Sequence, residues 1–353
     1  MKIKLAILET DRMYLDRIVS IFSTKYADKF EVYSFTDMDV ALATIESSKI
    51  DVLIASDAYD IKTNTLPRRC GFAYFVDSTD VETVREQRAI CKFQKIDLIY
   101  KQVLSIYSEN AGDVIGMKMA GEGCKFVTFL PGSGGVGAST MAAAAAIHWA
   151  SQGKKTLYLN FETFGSSDVF FSGEGQFGMS DIIYALKSRK TNLAMKLESC
   201  IKQDKSGVYF YSQPNLALDL MEMTSEEKMR LLSEINILGS YDVVVVDMAF
   251  RLDKAHMEIY HKMNAVIFVG DGSELSNIKL HRTITALQIL EEGKDEQLLH
   301  KLALIYNKFS NKTSKVLEDV EVQNIGGVPR YEHASVAQIL AELSAKDMFD
   351  NIF

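Results

Sequence analysis

The stretch "FLPGSGGVGASTMAAAAAI", residues 129–147, decides the fold of the second half of the chain. It combines an apolar strand pattern, a loop with four glycines and an alanine-rich run typical of a helix. Glycine lets the backbone wrap closely around an anion and point several N–H groups at it. The positive end of the following helix favours the same anion. The stretch therefore predicts a phosphate-binding loop at the edge of an α/β sheet.

The loop fits the pattern G-x-x-x-x-G-K-[ST] except at the lysine, where Ala138 stands. Ser139 occupies the position whose hydroxyl coordinates Mg²⁺. A chance run of small residues is the alternative interpretation. The residues predicted to bind nucleotide phosphates are Gly132, Ser133, Gly134, Gly135, Val136, Gly137, Ala138, Ser139 and Thr140.

The segment "YDVVVVDM", residues 241–248, contains a run of four valines that predicts a strand covered on both faces. It ends at Asp247, and an acidic residue at such a strand end holds a Mg²⁺-bound water in nucleotide phosphatases. We therefore predict Ser139 and Asp247 as metal ligands. The alternative for Asp247 is an ordinary strand-ending residue that starts a turn.

Length and composition set the broad class. A chain of 353 residues is long enough for two or three domains, and 47% hydrophobic with 24% charged residues is typical of a globular protein. The net charge of −8 argues against broad nucleic-acid binding, which needs a basic surface. The four scattered cysteines lack zinc or redox spacing. No signal peptide or membrane-length apolar run is present, so a cytoplasmic protein is expected.

Strand and helix patterns alternate in two series. We predict a CheY/flavodoxin-like domain over residues 1–107, with a helix at 80–93 and a fifth strand at 97–101. Glycine-rich residues 108–123 indicate a linker, and a second series covers 124–353. The fold class is thus α/β, with two doubly wound domains and mostly parallel sheets.

The segment "FLPGSGGVGASTMAAAAAIHWASQGKKTLYLNFE", residues 129–162, resembles the ParA/MinD-type deviant Walker ATPases. The resemblance extends over about residues 124–345, including "IYNK" and "GGVPRYEHAS". Within this group the chain is most similar to the TadZ/CpaE pilus-assembly proteins, which also join a receiver-like domain to such an ATPase domain. This resemblance implies a P-loop NTPase fold, ATP and Mg²⁺ as cofactors, a homodimer, and partners in the Tad secretion machinery.

The chain departs from the family pattern at charged positions. The signature lysine falls on Ser133 and the second lysine on Ala138, while the D-x-D pair falls on Asn160 and Glu162. The resemblance implies that Glu162 positions the attacking water. The backbone cradle and the metal ligands remain, but the charges that stabilise the γ-phosphate are gone. We therefore expect nucleotide binding with slow or absent hydrolysis.

The late segments imply a base-binding end. By the same resemblance Asn307 hydrogen-bonds adenine, and Lys308, Pro329 and Arg330 border the base. The alternative for "YNK" is a strand end with polar residues. Arg251 is either a substitute cation or, as we favour, a solvated surface arginine.

A receiver needs an acidic pair after its first strand, an Asp ending the third and a Lys ending the fifth. Here Glu9 and Asp11 follow the first strand, Ser56 stands at the acceptor position with Asp57 one step beyond, and Lys101 matches the lysine. A one-residue step at a strand end redirects the side chain. We therefore favour a pseudo-receiver used for interaction over a phosphorylated switch.

The C-terminal helix pattern places Val336, Ile339, Leu340 and Leu343 on one face. Its charged residues are mostly acidic, whereas an interfacial helix carries Lys or Arg. Core packing is the favoured interpretation, so direct membrane binding is not expected.

Together these features favour an ATP-binding assembly or localisation factor for a Flp/Tad pilus system. We expect it in the cytoplasm, at the cell pole or beside the inner membrane through its partners. The alternatives are a ParA-like ATPase in DNA partitioning and a response-regulator-type signalling protein.

Overall fold

The computed structural model describes residues 2–110, 124–165, 167–188, 192–292, 298–318 and 320–353. The chain divides into two compact units. The first contains the N-terminal residues together with Gly175–Phe177 and Tyr184–Cys200, and the second contains the remainder of the C-terminal sequence. Most of the linker predicted at 108–123 lies outside the described residues.

The N-terminal sequence forms six strands and three α-helices among its described residues. These are β1 Ile3–Leu8, α1 Arg12–Lys25, β2 Phe30–Phe35, α2 Met38–Ser47, β3 Val52–Ser56, β4 Gly71–Val76, β5 Thr83–Val84, β6 Gln87–Cys91 and α3 Ile96–Asn110. The sheet order is β2-β1-β3-β4-β6-β5, with every pair parallel except β5 and β6.

Both faces of this sheet are buried. Leu5 and Ile7 of β1 lie in a core with α1 and α3, whereas Ala6 and Leu8 lie in a core with α2. Side chains of a strand point alternately to opposite faces, so a strand covered on both sides is apolar at every position. The predicted doubly wound α/β class is confirmed for this unit.

Two predicted elements are wrong. Residues 80–93 contain the β5–β6 hairpin instead of a helix, and 97–101 lie in α3 instead of a strand. The hairpin turns at Arg85 and Glu86, whose φ angles are 48° and 63°. Such a turn usually carries Gly or Asn, and neither is present here to signal it. The short run "DLIY" resembles a strand when taken alone. The buried residues of α3 continue beyond it with helical spacing, so the segment is a helix.

Residues from 124 onward form the remaining elements. These are β7 Lys125–Pro131, α4 Ala138–Ser151, β8 Thr156–Asn160, α5 Ser167–Phe170, α6 Met179–Ser188, α7 Leu193–Cys200, β9 Lys202–Gln203, β10 Tyr209–Phe210, α8 Ala217–Met221, α9 Ser225–Leu238, β11 Val243–Asp247, α10 Lys254–Lys262, β12 Ala265–Gly270, α11 Glu274–Glu291, β13 Leu302–Phe309, β14 Gln323–Pro329 and α12 Val336–Ser344. Of these, α7 belongs to the first unit, where it packs against α3.

The second unit has an eight-stranded sheet in the order β14-β13-β12-β7-β11-β8-β10-β9. Its pairs are parallel except β9 with β10. The carboxyl ends of parallel strands meet at one edge of a sheet, which is where ligands bind in open α/β folds. The loop after β7 lies at this edge, beside β11 and β12.

The alanine run of α4 explains how the helix after the loop is held. Ala142–Ala146 are fully buried, and they share one core with residues of β7, β11 and β12. Small side chains let this helix approach the sheet closely. The same core contains Leu340 and Leu343 of α12, and the partly buried Ile339 packs against it, so the predicted core packing is confirmed for these residues, whereas Val336 is exposed. In the described ranges, no helix is long and apolar enough to cross a membrane.

Candidate functional site

The loop between β7 and α4 has the backbone of a phosphate cradle. Gly135 and Gly137 have φ angles of 76° and 85°, which L side chains rarely adopt. A Cβ at Gly132 would lie 2.4 Å from the Leu280 side chain, so that position needs glycine for close approach. A Cβ at Gly134 or at Gly135 would meet nothing within 4 Å. The loop therefore presents open backbone on one side.

Neutral residues stand at the two positions of the missing lysines, and both pack against their neighbours. The Ser133 hydroxyl donates a 3.1 Å hydrogen bond to the Ser276 hydroxyl near the start of α11. The Ala138 methyl group is buried at the first turn of α4. These contacts hold the loop to its neighbours, and neither residue brings charge to it.

Asn307 and Lys308, which were predicted at the base-binding end, contact the phosphate loop. The buried Asn307 donates from Nδ2 to the Val136 carbonyl at 2.8 Å. Lys308 donates from its backbone N–H to Asn307 Oδ1 at 3.0 Å and from Nζ to the Gly135 carbonyl at 2.6 Å. A Cβ at Gly137 would lie 2.6 Å from Asn307 Nδ2. The contact of Asn307 with adenine stays a prediction.

Pro329 and Arg330 lie at the end of β14, beside the end of β13. Pro329 is the register partner of Phe309, one residue after Lys308. Both Pro329 and Arg330 are exposed. The structure thus brings the predicted base-side residues to the same edge of the sheet as the phosphate loop, where their role stays a prediction.

Asp247 ends β11 and is fully buried. Its Oδ2 accepts a 2.5 Å hydrogen bond from the Tyr158 hydroxyl and a 3.1 Å bond from Asn160 Nδ2. Within the described residues, its Oδ1 has no hydrogen-bond partner. Burial, helped by the charge of Glu162, raises the pKa of Asp247 to about 7. A buried carboxylate with one free oxygen is poised to accept a cation or its bound water.

Asn160 donates a hydrogen bond to Asp247 at a position where a carboxylate would repel it. It faces Asp247 in the register of β8 with β11, and its Oδ1 accepts from the Glu162 backbone N–H at 2.8 Å. A carboxylate at position 160 would place a second buried negative charge beside Asp247, whereas the amide donates to it.

Glu162 and Ser139 are brought together, with the Ser139 hydroxyl donating to Glu162 Oε2 at 3.3 Å. Burial raises the pKa of the half-buried Glu162, and the hydrogen bond from Ser139 opposes this shift. The Ser139 hydroxyl also favours the charged form of Asp247. The predicted metal ligands and the predicted water-positioning carboxylate therefore share one small region.

This donor set fits Mg²⁺ that is held mainly by phosphate and water. Mg²⁺ prefers oxygen ligands and usually keeps several waters, with one or two protein oxygens. The unpartnered Oδ1 of Asp247 and the Ser139 hydroxyl provide such oxygens. No trio of His, Cys, Asp or Glu side chains forms a dedicated metal cage in the described part of the chain.

The sequence interpretation missed two residues of the site. Tyr158 is fully buried in β8, and its hydroxyl reaches Asp247. A tyrosine inside an apolar strand needs a hydrogen-bond partner for its hydroxyl, and this need could have indicated a polar neighbour from the sequence. Ser276 had no such signal, since its contact with Ser133 joins residues far apart in the chain.

The receiver-like site has a different lysine from the predicted one. Lys101 lies in α3, so its assignment to the end of the fifth strand is wrong. Lys92 follows β6, the fifth strand of the parallel series, and its Nζ lies 3.4 Å from Glu9 Oε2 and 2.8 Å from Asp77 Oδ1. The misplaced fifth strand explains the error.

Two acidic groups of this site, Glu9 and Asp11, already have partners. Glu9 is fully buried, and its Oε1 accepts from the backbone N–H of Thr10 and of Asp11 at 2.8 and 3.2 Å. The Asp11 carboxylate caps the start of α1. Ser56 is buried at the end of β3, and Asp57 is exposed. An internal lysine–glutamate pair thus occupies the place where a receiver assembles its metal and phosphoryl group.

The fold and the loop define a protein in which a receiver-like domain is joined to a P-loop NTPase-like α/β domain. Residues 1–108 match the family model of the TadZ-like receiver domain. This match confirms the predicted resemblance of the N-terminal domain to the receiver domain of TadZ-like proteins. No curated protein sequence matches the chain significantly.

Solved structures similar to this chain include a ParA family ATPase from Chlorobium tepidum TLS, at 19% identity and a TM-score of 0.50 over 65% of this chain and 96% of that one. A plasmid partition protein from Borrelia burgdorferi has 17% identity and a TM-score of 0.46 over 65% and 98% of the two chains. The MinC:MinD cell division protein complex from Aquifex aeolicus has 16% identity and a TM-score of 0.45 over 63% and 97%. The first similarity shows that the second unit has the ParA-type fold.

Proposed function

We propose that this protein binds ATP with Mg²⁺ and serves as an assembly or localisation factor for a Flp/Tad pilus secretion system. It acts as a homodimer with weak or no ATPase activity. The observation that carries the proposal is the unpartnered, buried Oδ1 of Asp247, which lies near Ser139 at the end of the phosphate loop.

The loop residues 132–140 surround the phosphates in this proposal. Their backbone N–H groups and the start of α4 bind the anion. Ser139 and Asp247 hold Mg²⁺, which supplies positive charge to the phosphate oxygens when bound. Asn307, Pro329 and Arg330 border the base at the neighbouring strand ends.

Hydrolysis is slow in this proposal because the phosphate loop itself carries neither of the motif lysines that stabilise the transferring phosphoryl. Ser133 and Ala138 are neutral and engaged with their neighbours. Phosphoryl transfer depends mainly on charge stabilisation at the transferred group. Glu162 accepts a 3.3 Å hydrogen bond from the Ser139 hydroxyl, so one of its oxygens is already engaged.

The dimer face in this proposal adjoins the nucleotide. Phe164, Leu216 and Leu218 are 82%, 63% and 60% exposed. The chain segments that carry them are adjacent, since the Gln213 N–H, shortly before α8, donates to Asp168 of α5 at 3.3 Å. Exposed apolar side chains grouped beside a site are typical of an interaction surface, and we assign this one to a second copy of the chain.

The receiver domain recruits partners in this proposal instead of receiving phosphate. Support comes from the internal pair of Lys92 with Glu9 and from the buried Ser56 at the acceptor position. We place the protein in the cytoplasm, at the cell pole or beside the inner membrane through Tad partners.

The proposal is tested by measuring ATP binding, phosphate release and molar mass by light scattering in one sample. Mg-ATP binding with a dimer and negligible release supports it. Brisk release stimulated by DNA would instead support a partition ATPase. The test variant is Asp247→Asn, which keeps the side-chain size. We expect it to weaken ATP binding only when Mg²⁺ is present.

A further inference from the structure

Lys308 adopts a backbone conformation that a lysine rarely occupies. Its φ is 60°, and the pairing of β13 with β14 shifts register between Tyr306 and Phe309. The left-handed region is unfavourable for residues with a Cβ, and Gly or Asn occupies it more easily. Such strain persists where the surrounding structure imposes it, often at ligand sites.

The strained backbone directs the side chain to the phosphate loop. The Lys308 N–H is bonded to Asn307 Oδ1, and Asn307 is itself bonded to the Val136 carbonyl. From this anchor the ammonium donates to the Gly135 carbonyl at 2.6 Å. Gly135 lies between Ser133 and Ala138, the two positions at which the motif lysines are missing.

The loop beside the Lys308 contact is open at Gly134 and Gly135. A Cβ on Gly134 or Gly135 would meet no atom within 4 Å, so a ligand can approach the loop there. The Gly135 carbonyl is a neutral acceptor, and a phosphate oxygen is a charged one. The present bond carries charge on its donor only, whereas a phosphate oxygen adds the attraction of an opposite charge at contact distance, so a phosphate would compete well for this ammonium.

We infer that Lys308 replaces the motif lysines: its ammonium leaves the Gly135 carbonyl and binds the terminal phosphate of a bound nucleoside triphosphate. This inference rests on the proposed nucleotide binding. It differs from a place beside the base, because a cation at the terminal phosphate distinguishes a triphosphate from a diphosphate. A base contact affects both nucleotides equally.

The test is the affinity of Lys308→Asn for Mg-ATP and for Mg-ADP, measured by calorimetry beside the wild type. Loss of one charge-assisted contact predicts roughly tenfold or greater weakening for ATP and less than about threefold for ADP. Asparagine tolerates the left-handed backbone, so the melting temperature of the unliganded variant should not fall. Lys308→Arg, which keeps the charge, should retain the preference for ATP.

The matched control is Lys312→Asn, which makes the same charge change at an exposed residue a few positions away. It should leave both affinities unchanged. Equal weakening of ATP and ADP binding by Lys308→Asn would overturn this inference and leave the proposed nucleotide binding intact. A wild type that binds neither nucleotide would instead overturn the proposed function, and this inference with it. If Lys308→Asn proves unstable, Lys308→Gly serves as the second variant, with the same expected ATP-selective loss.

Discussion

Asn160 on β8 donates a 3.1 Å hydrogen bond to Asp247 on the adjacent strand β11, inside the buried end of the sheet. A neutral amide therefore lies where the related ATPase pattern has a carboxylate. This pair is central to the site, because it leaves Asp247 with one engaged and one free oxygen.

Asn160→Asp should destabilise the protein in a pH-dependent way. Two facing buried carboxylates raise one another's pKa and cannot both ionise without cost. We expect a loss of roughly 1–3 kcal/mol in unfolding free energy at pH 8 and a smaller loss at pH 5, by urea denaturation. An equal loss at both pH values would show that charge repulsion is not the cause.

Asp247 should make the metal-free protein less stable as pH rises. Its folded pKa of about 7 lies above the usual value of 3.8, so the stability that its proton contributes is fully present below about pH 4 and is lost as pH rises through about 7. The shift corresponds to at most roughly 4 kcal/mol. Asp247→Asn should flatten the stability profile between about pH 4 and 7 in the presence of EDTA. A profile as steep as that of the wild type would contradict this assignment.

The first unit depends on a buried ion pair with α7. Lys196 is 2% exposed, and its Nζ donates to Ser105 Oγ at 2.9 Å and to Glu109 Oε1 at 3.1 Å. Removing one partner of a buried pair typically costs 3–5 kcal/mol. Because Glu109 is partly exposed, we expect Glu109→Gln to cost about 2–3 kcal/mol in a thermal or urea melt. The exposed control Glu46→Gln should cost less than about 0.5 kcal/mol, and similar costs for the two variants would refute the pair's role.

The receiver domain should not form a phosphoryl adduct. The Lys92 ammonium is already shared between Glu9 and Asp77 at the strand ends, and the residue at the acceptor position is Ser56. Incubation with acetyl phosphate and Mg²⁺ should therefore leave the intact mass unchanged. An adduct that disappears in Asp57→Asn would support a phosphorylated switch instead.

Much of the fold is predictable from periodicity and glycine. The β7–loop–α4 unit follows directly from "FLPGSGGVGASTMAAAAAI", and Asp247 is identifiable as the end of an apolar strand. Local patterns carry this information because strand alternation and helix starts depend on residues near each other in sequence.

The errors share a physical cause. The hairpin at Arg85 and Glu86 uses left-handed residues without glycine, and the strand-like "DLIY" is helical because its buried face continues through α3. Contacts such as Lys308 with Gly135 depend on tertiary placement, which local patterns do not report. Tertiary context overrides propensity at these positions.

The most direct test of the central claim is the affinity for ATP with and without Mg²⁺, measured together with phosphate release from the same wild-type sample. The account predicts binding that Mg²⁺ strengthens, roughly tenfold or more for a charge-assisted metal contact, with release no faster than without protein. ATP binding that Mg²⁺ leaves unchanged, or sustained phosphate release, would contradict it.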